Sequence, residues 1–169
     1  MEKAIPPRKG KRQLARIIES ILFHQPAGKT TSIAPALAFL GKVAKRRSVI
    51  FLISDFLTDE NILTPLKVVS LRHDIVLIRI SDRWERELPK VGLVEIEDPE
   101  TGTLLLVDTS DPIVRAEYQK LRAQYDSQLT RAKHQSGIGL IELTTGEGFI
   151  RPLLAFLRAK RGARRRRRG

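Results

Sequence analysis

The sequence contains no cysteine, and this absence removes several classes of protein at once. Without thiols the chain has no disulfide framework, no thiolate zinc site and no cysteine nucleophile. It also has no apolar run close to the roughly 20 residues that a membrane helix requires. The first residues lack an apolar stretch, so we expect no secretory signal and a cytoplasmic location, with association at a membrane surface as the alternative.

Motifs of common enzymatic chemistry are missing as well. The segment PAGKTTS contains Gly-Lys-Thr, but Phe23 stands five positions before Gly28, where a phosphate-binding loop needs glycine. The three histidines show no spacing typical of metal ligands. A phosphatase with Asp55 as nucleophile would need a second acid two residues later, at Leu57. We therefore expect a protein that is not an enzyme, with an Asp55-based hydrolase as a minor alternative.

The net charge of +12 is concentrated at the two ends of the chain. Residues 1–16 carry +5 and residues 158–169 carry +8, which leaves −1 for all residues between them. We expect residues 1–13 to be a basic lead-in and residues 158–169 to be a disordered tail. We expect this tail either to have no specific function or to bind nucleic acid or anionic lipid electrostatically. That binding would use Arg164, Arg165, Arg166, Arg167 and Arg168.

The order of apolar patterns predicts an α/β fold for residues 14–157. The continuous apolar run at 49–53 is typical of a strand covered on both faces, and the segments at 74–80 and 138–145 are predicted to be two further buried strands. Helical periodicity lies before, between and after these runs, which favours a mainly parallel sheet with flanking helices. The segment VGLVEIEDPETGTLLLVDT predicts a β-hairpin inserted into this arrangement.

Several helix predictions are specific enough to be checked. Thr31 or Ser32 should cap the second helix, and Thr58 should cap a helix that runs to about Arg72. The buried seam of the longest helix is predicted to consist of Val114, Tyr118, Leu121, Tyr125, Leu129 and Ala132. The last helix should bury Ile150, Leu153, Leu154 and Leu157.

A carboxylate follows the first predicted strand, in SVIFLISDFL. Asp55 lies where the carboxyl ends of parallel strands form the usual functional edge of an α/β sheet. Thr31, at a helix start, is predicted to reach the same edge. Carboxylate and hydroxyl oxygens favour a hard cation such as Mg²⁺. The alternative is that Asp55 caps the following turn and Thr31 caps its helix.

Three segments resemble one bacterial family. They are RRSVIFLISDFL, RHDIVLIRISDRWERELPKVGLVEIEDPETGTLLLVDTS and GIGLIELTTGEGFIRPLLAFLRAKR. They are similar to the C-terminal portion of the "domain of unknown function 58" family, over about residues 5–161. The resemblance implies a von Willebrand factor type A-like (Rossmann-like) fold. It also implies a partnership with AAA+ ATPases of the MoxR type, in a non-enzymatic interaction module.

The same resemblance implies a metal-ion-dependent adhesion site for Mg²⁺ or Mn²⁺. Thr31 and Asp55 match its threonine and its strand-terminal aspartate. Its Asp-x-Ser-x-Ser segment occurs nowhere in this sequence, so the site should be incomplete and no cofactor is expected to bind this chain alone. The sequence therefore resembles the second half of such a domain, without its N-terminal strands.

Two surfaces are predicted to bind partners. The first lies at the carboxyl edge and consists of Ser54 together with Asp82, Trp84 and Glu85 of SDRWERELP. The alternative is that Trp84 only covers the hairpin. The second surface is the strand at 49–53. In the absence of the N-terminal strands it would lie at the edge of the sheet, and it has no charge, proline or glycine that would block pairing with another strand. We expect that edge to bind a missing N-terminal half, to self-associate, or to leave the chain marginally stable. Ile50→Lys should raise solubility if residue 50 faces outward.

Overall fold

Helices and strands alternate along most of the chain. The computed structural model describes residues 3–25, 32–97, 102–136 and 138–166. The helices in these ranges are α1 (Lys11–Phe23), α2 (Ala34–Val43), α3 (Leu63–Ser70), α4 (Arg83–Arg86), α5 (Pro112–Ser136) and α6 (Ile150–Arg166). The strands are β1 (Val49–Ser54), β2 (Asp74–Ser81), β3 (Leu93–Glu97), β4 (Leu104–Asp108) and β5 (Gly139–Thr144). Within these ranges, none of the helices combines the length and apolar character that crossing a membrane requires.

The central sheet is parallel, with strand order β1-β2-β5. Phe51 pairs with Val76, and Ile78 pairs with Ile141. Strands β3 and β4 form a separate antiparallel pair. The predicted α/β class, the parallel sheet with flanking helices and the inserted hairpin are thus confirmed. The apolar runs predicted the three parallel strands because the strands of such sheets are usually covered by helices, although β1 is covered on one face only.

The larger core lies on the sheet face that α2, α3 and α5 cover. Leu37, Leu66 and Leu129 come from these three helices and are fully or almost fully buried. They pack in one cluster with Ile75 and Leu77 of β2. Burying side chains of this size stabilises the fold by about 1.5–3 kcal/mol each.

The opposite face of the sheet is covered by α6 over β2 and β5. Val76, Ile78 and Ile141 form a small core with Leu153 and Phe156 of α6. A Cβ at Gly139 would lie 2.7 Å from Phe156 Cε2 and closer still to Cζ. The absence of a side chain at Gly139 therefore allows the ring of Phe156 to rest on β5.

Strand β1 is an edge strand, and its α6-side face is not covered. Val49, Phe51 and Ile53 are 47%, 46% and 59% exposed, whereas Ile50 on the opposite face is 7% exposed. The predicted sheet edge is therefore observed at β1. Ile50→Lys was expected to raise solubility only if residue 50 faces outward, and this condition is not met because Ile50 faces the core. None of the residues of α1 is buried.

The predicted helix caps at Thr58 and Ser32 are wrong. Helix α3 begins at Leu63, whose N–H donates to Asn61 Oδ1 (3.1 Å), while Thr58 Oγ1 accepts a hydrogen bond from Glu60 N (3.2 Å) in a turn. Glu60 is directed away from α3 because its carboxylate accepts hydrogen bonds from Ile33 N (2.7 Å) and Ala34 N (3.2 Å). It thus caps α2 from a distant loop. Ser32 contributes only by donating to Glu60 (2.5 Å), and Thr31 lies outside the described residues.

The predicted buried seams are correct only in part. In α5, Leu121 is exposed and its neighbour Arg122 is buried, because Arg122 faces Glu85 of α4 and Asp126 of α5. In α6, Leu153 and Phe156 pack on the sheet. The exposed residues of the predicted α6 seam are Ile150, Leu154 and Leu157. Their face of the helix is turned away from the small core.

Helix α6 continues to Arg166, whereas the sequence predicts a disordered tail from residue 158. Alanine and arginine have high helix propensity, which explains how the helix extends into the basic segment. Similarly, α1 begins at Lys11, inside the predicted lead-in of residues 1–13.

Candidate functional site

The carboxyl edge of the parallel sheet is lined by polar residues. Strands β1, β2 and β5 end at Ser54, Ser81 and Thr144. Asp55 follows β1, and Asp82 follows β2. Because the strands are parallel, these ends lie along one edge, which we call the rim. The rim brings the predicted Ser54, Asp55, Asp82, Trp84 and Glu85 to one end of the sheet.

The loop after β1 has a strained backbone that local hydrogen bonds hold in place. Phe56 is buried and has φ of 58°, a left-handed conformation that costs a bulky residue of order 1–3 kcal/mol. Phe56 N donates to Ser54 Oγ (3.1 Å), and Leu57 N donates to Asp55 Oδ1 (3.2 Å). Ser54 Oγ also donates a hydrogen bond to Asp55 Oδ1 (3.3 Å). Asp55 therefore caps this turn, as the alternative interpretation of its sequence position predicts.

The described side chains do not fit a metal-ion-dependent adhesion site. In the described ranges, no three Asp, Glu or His side chains come together in a way that could hold a metal ion. Asp55 is exposed, and one of its oxygens already accepts from Leu57 N and Ser54. Mg²⁺ takes about six oxygens in octahedral geometry. The assignment of Thr31 to such a site stays a prediction, because Thr31 lies outside the described residues.

A short helix, α4, projects from the rim at the end of β2. Asp82 caps it by accepting a hydrogen bond from Trp84 N (2.9 Å). Thr145, just after β5, donates a short hydrogen bond to the second oxygen of Asp82. Both hydrogen bonds lower the pKa of Asp82 below its usual value, and the bond from Thr145 has the larger effect. Asp82 thus joins the loops that follow β2 and β5.

Helix α4 is also attached to α5. Tyr118 Oη donates to the carbonyl oxygen of Glu85 (2.7 Å), and Arg122 Nη1 lies 3.7 Å from Glu85 Oε2. Partial burial is the main cause that raises the pKa of Tyr118, so the hydroxyl remains a donor at neutral pH. Between these anchors, Trp84 is 63% exposed. The only tryptophan of the chain is therefore fixed in place at its backbone and open to solvent at its side chain.

Two buried arginines form a cluster behind the rim that the sequence analysis missed. Arg79 on β2 and Arg122 on α5 are 6% and 8% exposed. Asp126 lies between them, 2.5 Å from Arg79 Nη1 and 3.8 Å from Arg122 Nε. Glu142 on β5 lies 3.7 Å from Arg79. We call Arg79, Arg122, Asp126 and Glu142 the arginine cluster. Its sequence signal was a charged residue inside the otherwise apolar segment DIVLIRI.

The arginine-rich segment at the end of the chain is separate from this cluster. Arg164, Arg165 and Arg166 belong to the last turns of α6. Arg167 and Arg168 lie outside the described residues. The electrostatic binding assigned to these five residues from the sequence stays a prediction.

Comparison with known proteins gives matches that have no assigned function. The family model described as "Protein of unknown function DUF58" matches residues 1–128. Uncharacterized proteins of Mycobacterium tuberculosis and Mycobacterium bovis are 28% identical over 159 residues. An uncharacterized protein of Mycobacterium avium has the same identity over the same length. No solved structure matches the chain significantly.

The matched relatives differ in length. The alignment covers 93% of this chain and 50% of the M. tuberculosis and M. bovis proteins, so the chain spans about half the length of these relatives. It covers 94% of the M. avium protein. The family model covers most of the sequence, including β1, β2, the hairpin and α4. The chain therefore belongs to the protein family of unknown function DUF58.

Proposed function

We propose that this chain is a non-enzymatic protein-interaction module that presents its rim to an AAA+ ATPase of the MoxR type. Its fold would be the second part of a von Willebrand factor A-like domain. The parallel order β1-β2-β5 with helices on both faces supports this proposal for the fold. The class of partner rests on the family resemblance.

The observation that carries the proposal is the way Trp84 is presented. An indole that is 63% exposed contributes little to the stability of its own chain. Its backbone is nevertheless held by the cap at Asp82, and the next residue is held by Tyr118. Exposed, preorganised aromatic residues are typical centres of binding energy in protein interfaces.

The polar surroundings of Trp84 suit the periphery of an interface. Arg83 and Arg86 stand before and after Trp84 on α4, and Arg86 Nε donates to Ser81 Oγ (3.2 Å). The Asp55 turn lies on the same rim. Charged and polar residues around an aromatic centre set the orientation and the rate of association more than the affinity.

The metal site is part of the proposal only in a complete domain. There, Thr31 and Asp55 would contribute a hydroxyl and a carboxylate, and an acidic residue of the partner would complete the coordination of Mg²⁺. In this chain the contact at Trp84 is proposed to act without a bound ion.

A binding experiment with two matched variants tests the proposal. Trp84→Ala should weaken binding to a MoxR-type ATPase of the same organism by tenfold or more, as expected for a binding centre of about 2 kcal/mol. Leu71→Ala removes a comparably exposed side chain next to the amino end of β2, and it should leave binding unchanged. Both variants should melt within a few degrees of the wild type.

Two results would count against the proposal. Equal affinities of Trp84→Ala and wild type for each MoxR-type ATPase of that organism would remove Trp84 from the interface. A large fall in the melting temperature of Trp84→Ala would show that the indole is needed for packing.

A further inference from the structure

The sequence around β1 is nearly symmetric about Phe51. In RSVIFLISD, residues 47–55, serine stands three positions before and three positions after Phe51. The nearer positions hold pairs of similar apolar residues, and the outermost pair has opposite charges. These pairs are Ile50 with Leu52, Val49 with Ile53, Ser48 with Ser54, and Arg47 with Asp55. A strand with this symmetry is complementary to a second copy of itself that runs in the opposite direction.

The backbone of β1 has the matching alternation. The carbonyl of Ser48 accepts a hydrogen bond from Asp74 N (2.9 Å), so the backbone groups of Ser48 point to β2. Backbone groups alternate in direction along a strand, and those of Val49, Phe51 and Ile53 therefore point to the open side. The centre of symmetry, Phe51, is therefore itself a residue whose backbone groups face the open side.

The open edge has none of the features that usually prevent strand pairing. From Val49 to Ile53 it contains no charge, proline or glycine. The side chains of Val49, Phe51 and Ile53 are about half exposed on the face that α6 leaves uncovered. The described residues thus leave both the hydrogen-bonding edge and the adjoining apolar face without a partner.

We propose that two copies of this chain associate by antiparallel pairing of β1 with β1, about a two-fold axis at Phe51. Phe51 then lies opposite Phe51 of the second copy, and Val49 lies opposite Ile53. Each of these pairs exchanges two backbone hydrogen bonds, as in an ordinary antiparallel ladder. The two sheets become one, and the exposed apolar side chains of both copies join on one face. A closed two-fold contact of this kind gives a dimer rather than an open filament.

Charge and backbone direction both favour this register. The axis at Phe51 places Arg47 opposite Asp55 of the second copy, twice per dimer; both side chains are exposed, and Arg47 also pairs with Asp74 of its own chain (3.1 Å). Such pairs add little energy, but a parallel arrangement would place like charges together. A slip by one residue would place Ile50 or Leu52 opposite Phe51, and their backbone groups point to β2, so the hydrogen bonds of the pair would be lost. A partner of different sequence, such as the remaining half of the longer relatives, would need no symmetry in β1, so the symmetry favours a second copy.

The oligomeric state gives the first test, and it is independent of the rim and of any ATPase. Light scattering and sedimentation should show a dimer for the wild type. Phe51→Glu should be a monomer, because two carboxylates would face each other across the axis. Val68→Glu, on the exposed surface of α3, should remain a dimer. A monomeric wild type, or a Phe51→Glu protein that remains a dimer, would overturn the proposal.

The register can be tested with single cysteines, because the chain contains none. Phe51→Cys should form a disulfide with its own copy, since opposed Cα atoms in such a pair are about 5.5 Å apart. Val49→Cys should not, because its two copies would be roughly 14 Å apart at about 3.4 Å per residue. A mixture of Val49→Cys and Ile53→Cys should crosslink as a heterodimer. Equal self-crosslinking of Val49→Cys and Phe51→Cys would contradict the two-fold register.

Discussion

Asp126→Asn removes the negative charge that lies between the two buried arginines. Asp126 is the acceptor in the shortest ion pair of Arg79, at 2.5 Å, and Arg79 is almost completely buried. Removing one member of a fully buried pair costs about 3–5 kcal/mol, mostly because the remaining charge is left without compensation. We expect about 2–3 kcal/mol here, because the side chain of Asp126 is 49% exposed and Glu142 remains 3.7 Å from Arg79.

Urea unfolding at neutral pH measures this effect. With a slope of about 2 kcal/mol per molar urea, the midpoint should fall by roughly 1–1.5 M. Glu117→Gln makes the same kind of change on an exposed position of α5 and should stay within about 0.5 kcal/mol of the wild type. Arg79→Met in the Asp126→Asn background should recover most of the loss, because no buried charge remains at that position. An Asp126→Asn protein as stable as Glu117→Gln would refute the role of the arginine cluster in joining α5 to β2.

Further predictions concern packing, pH and metal binding. Gly139→Ala should destabilise the protein by about 1–3 kcal/mol, because the new methyl group would overlap the ring of Phe156, and thermal melts should show part of the loss restored by Phe156→Leu. The hydrogen bond from Ser32 and, to a smaller extent, those from the start of α2 lower the pKa of Glu60 below 4.5. The ionised carboxylate of Glu60 therefore stabilises the protein above that pH, and this contribution is lost as the pH falls through the lowered pKa. Wild type and Glu60→Gln should therefore differ in urea midpoint at pH 7 and converge in acid; a constant difference would contradict the pairing. Calorimetric titration with Mg²⁺ or Mn²⁺ should show no tight saturable site, and stoichiometric binding that Asp55→Ala removes would show that other oxygens complete it.

The strands could be predicted from the sequence because their apolar runs have one physical cause. Strands β1, β2 and β5 form a parallel sheet with helices on its faces, and the strands of such sheets are usually apolar without alternation; β1 keeps this pattern although its α6-side face is exposed. The edge position of β1 could not come from its apolar run alone, since the same run fits a central strand. It came from the strand order that the family resemblance implies.

The errors at the helix caps and seams came from interactions between distant residues. Thr58, Asp59 and Glu60 are a good local signal for a helix start, but Glu60 instead binds the start of α2. Leu121 and Arg122 are neighbours on α5, and periodicity alone favoured the leucine. Arg122 is turned inward because it shares Asp126 with Arg79 on β2. Local patterns contain no information about such pairs.

The candidate site was predicted in position but not in structure. The rule that function lies at the carboxyl ends of parallel strands located Asp55, Asp82 and Trp84 on one rim. The short bond from Thr145 to Asp82 joins loops 63 residues apart, and the arginine cluster lies on three separate elements. These contacts depend on how the elements pack, so sequence spacing could not show them.

The most direct test of the proposed interaction uses Trp84 as its own probe. Because Trp84 is the only tryptophan, 5-fluorotryptophan labelling gives one ¹⁹F NMR resonance from this chain. In the free protein its shift should be sensitive to solvent, as expected for an indole that is 63% exposed. On addition of the unlabelled MoxR-type ATPase, the resonance should move or broaden and lose that sensitivity. A complex that forms while the resonance stays unchanged would contradict the claim that the rim at Trp84 is the binding surface.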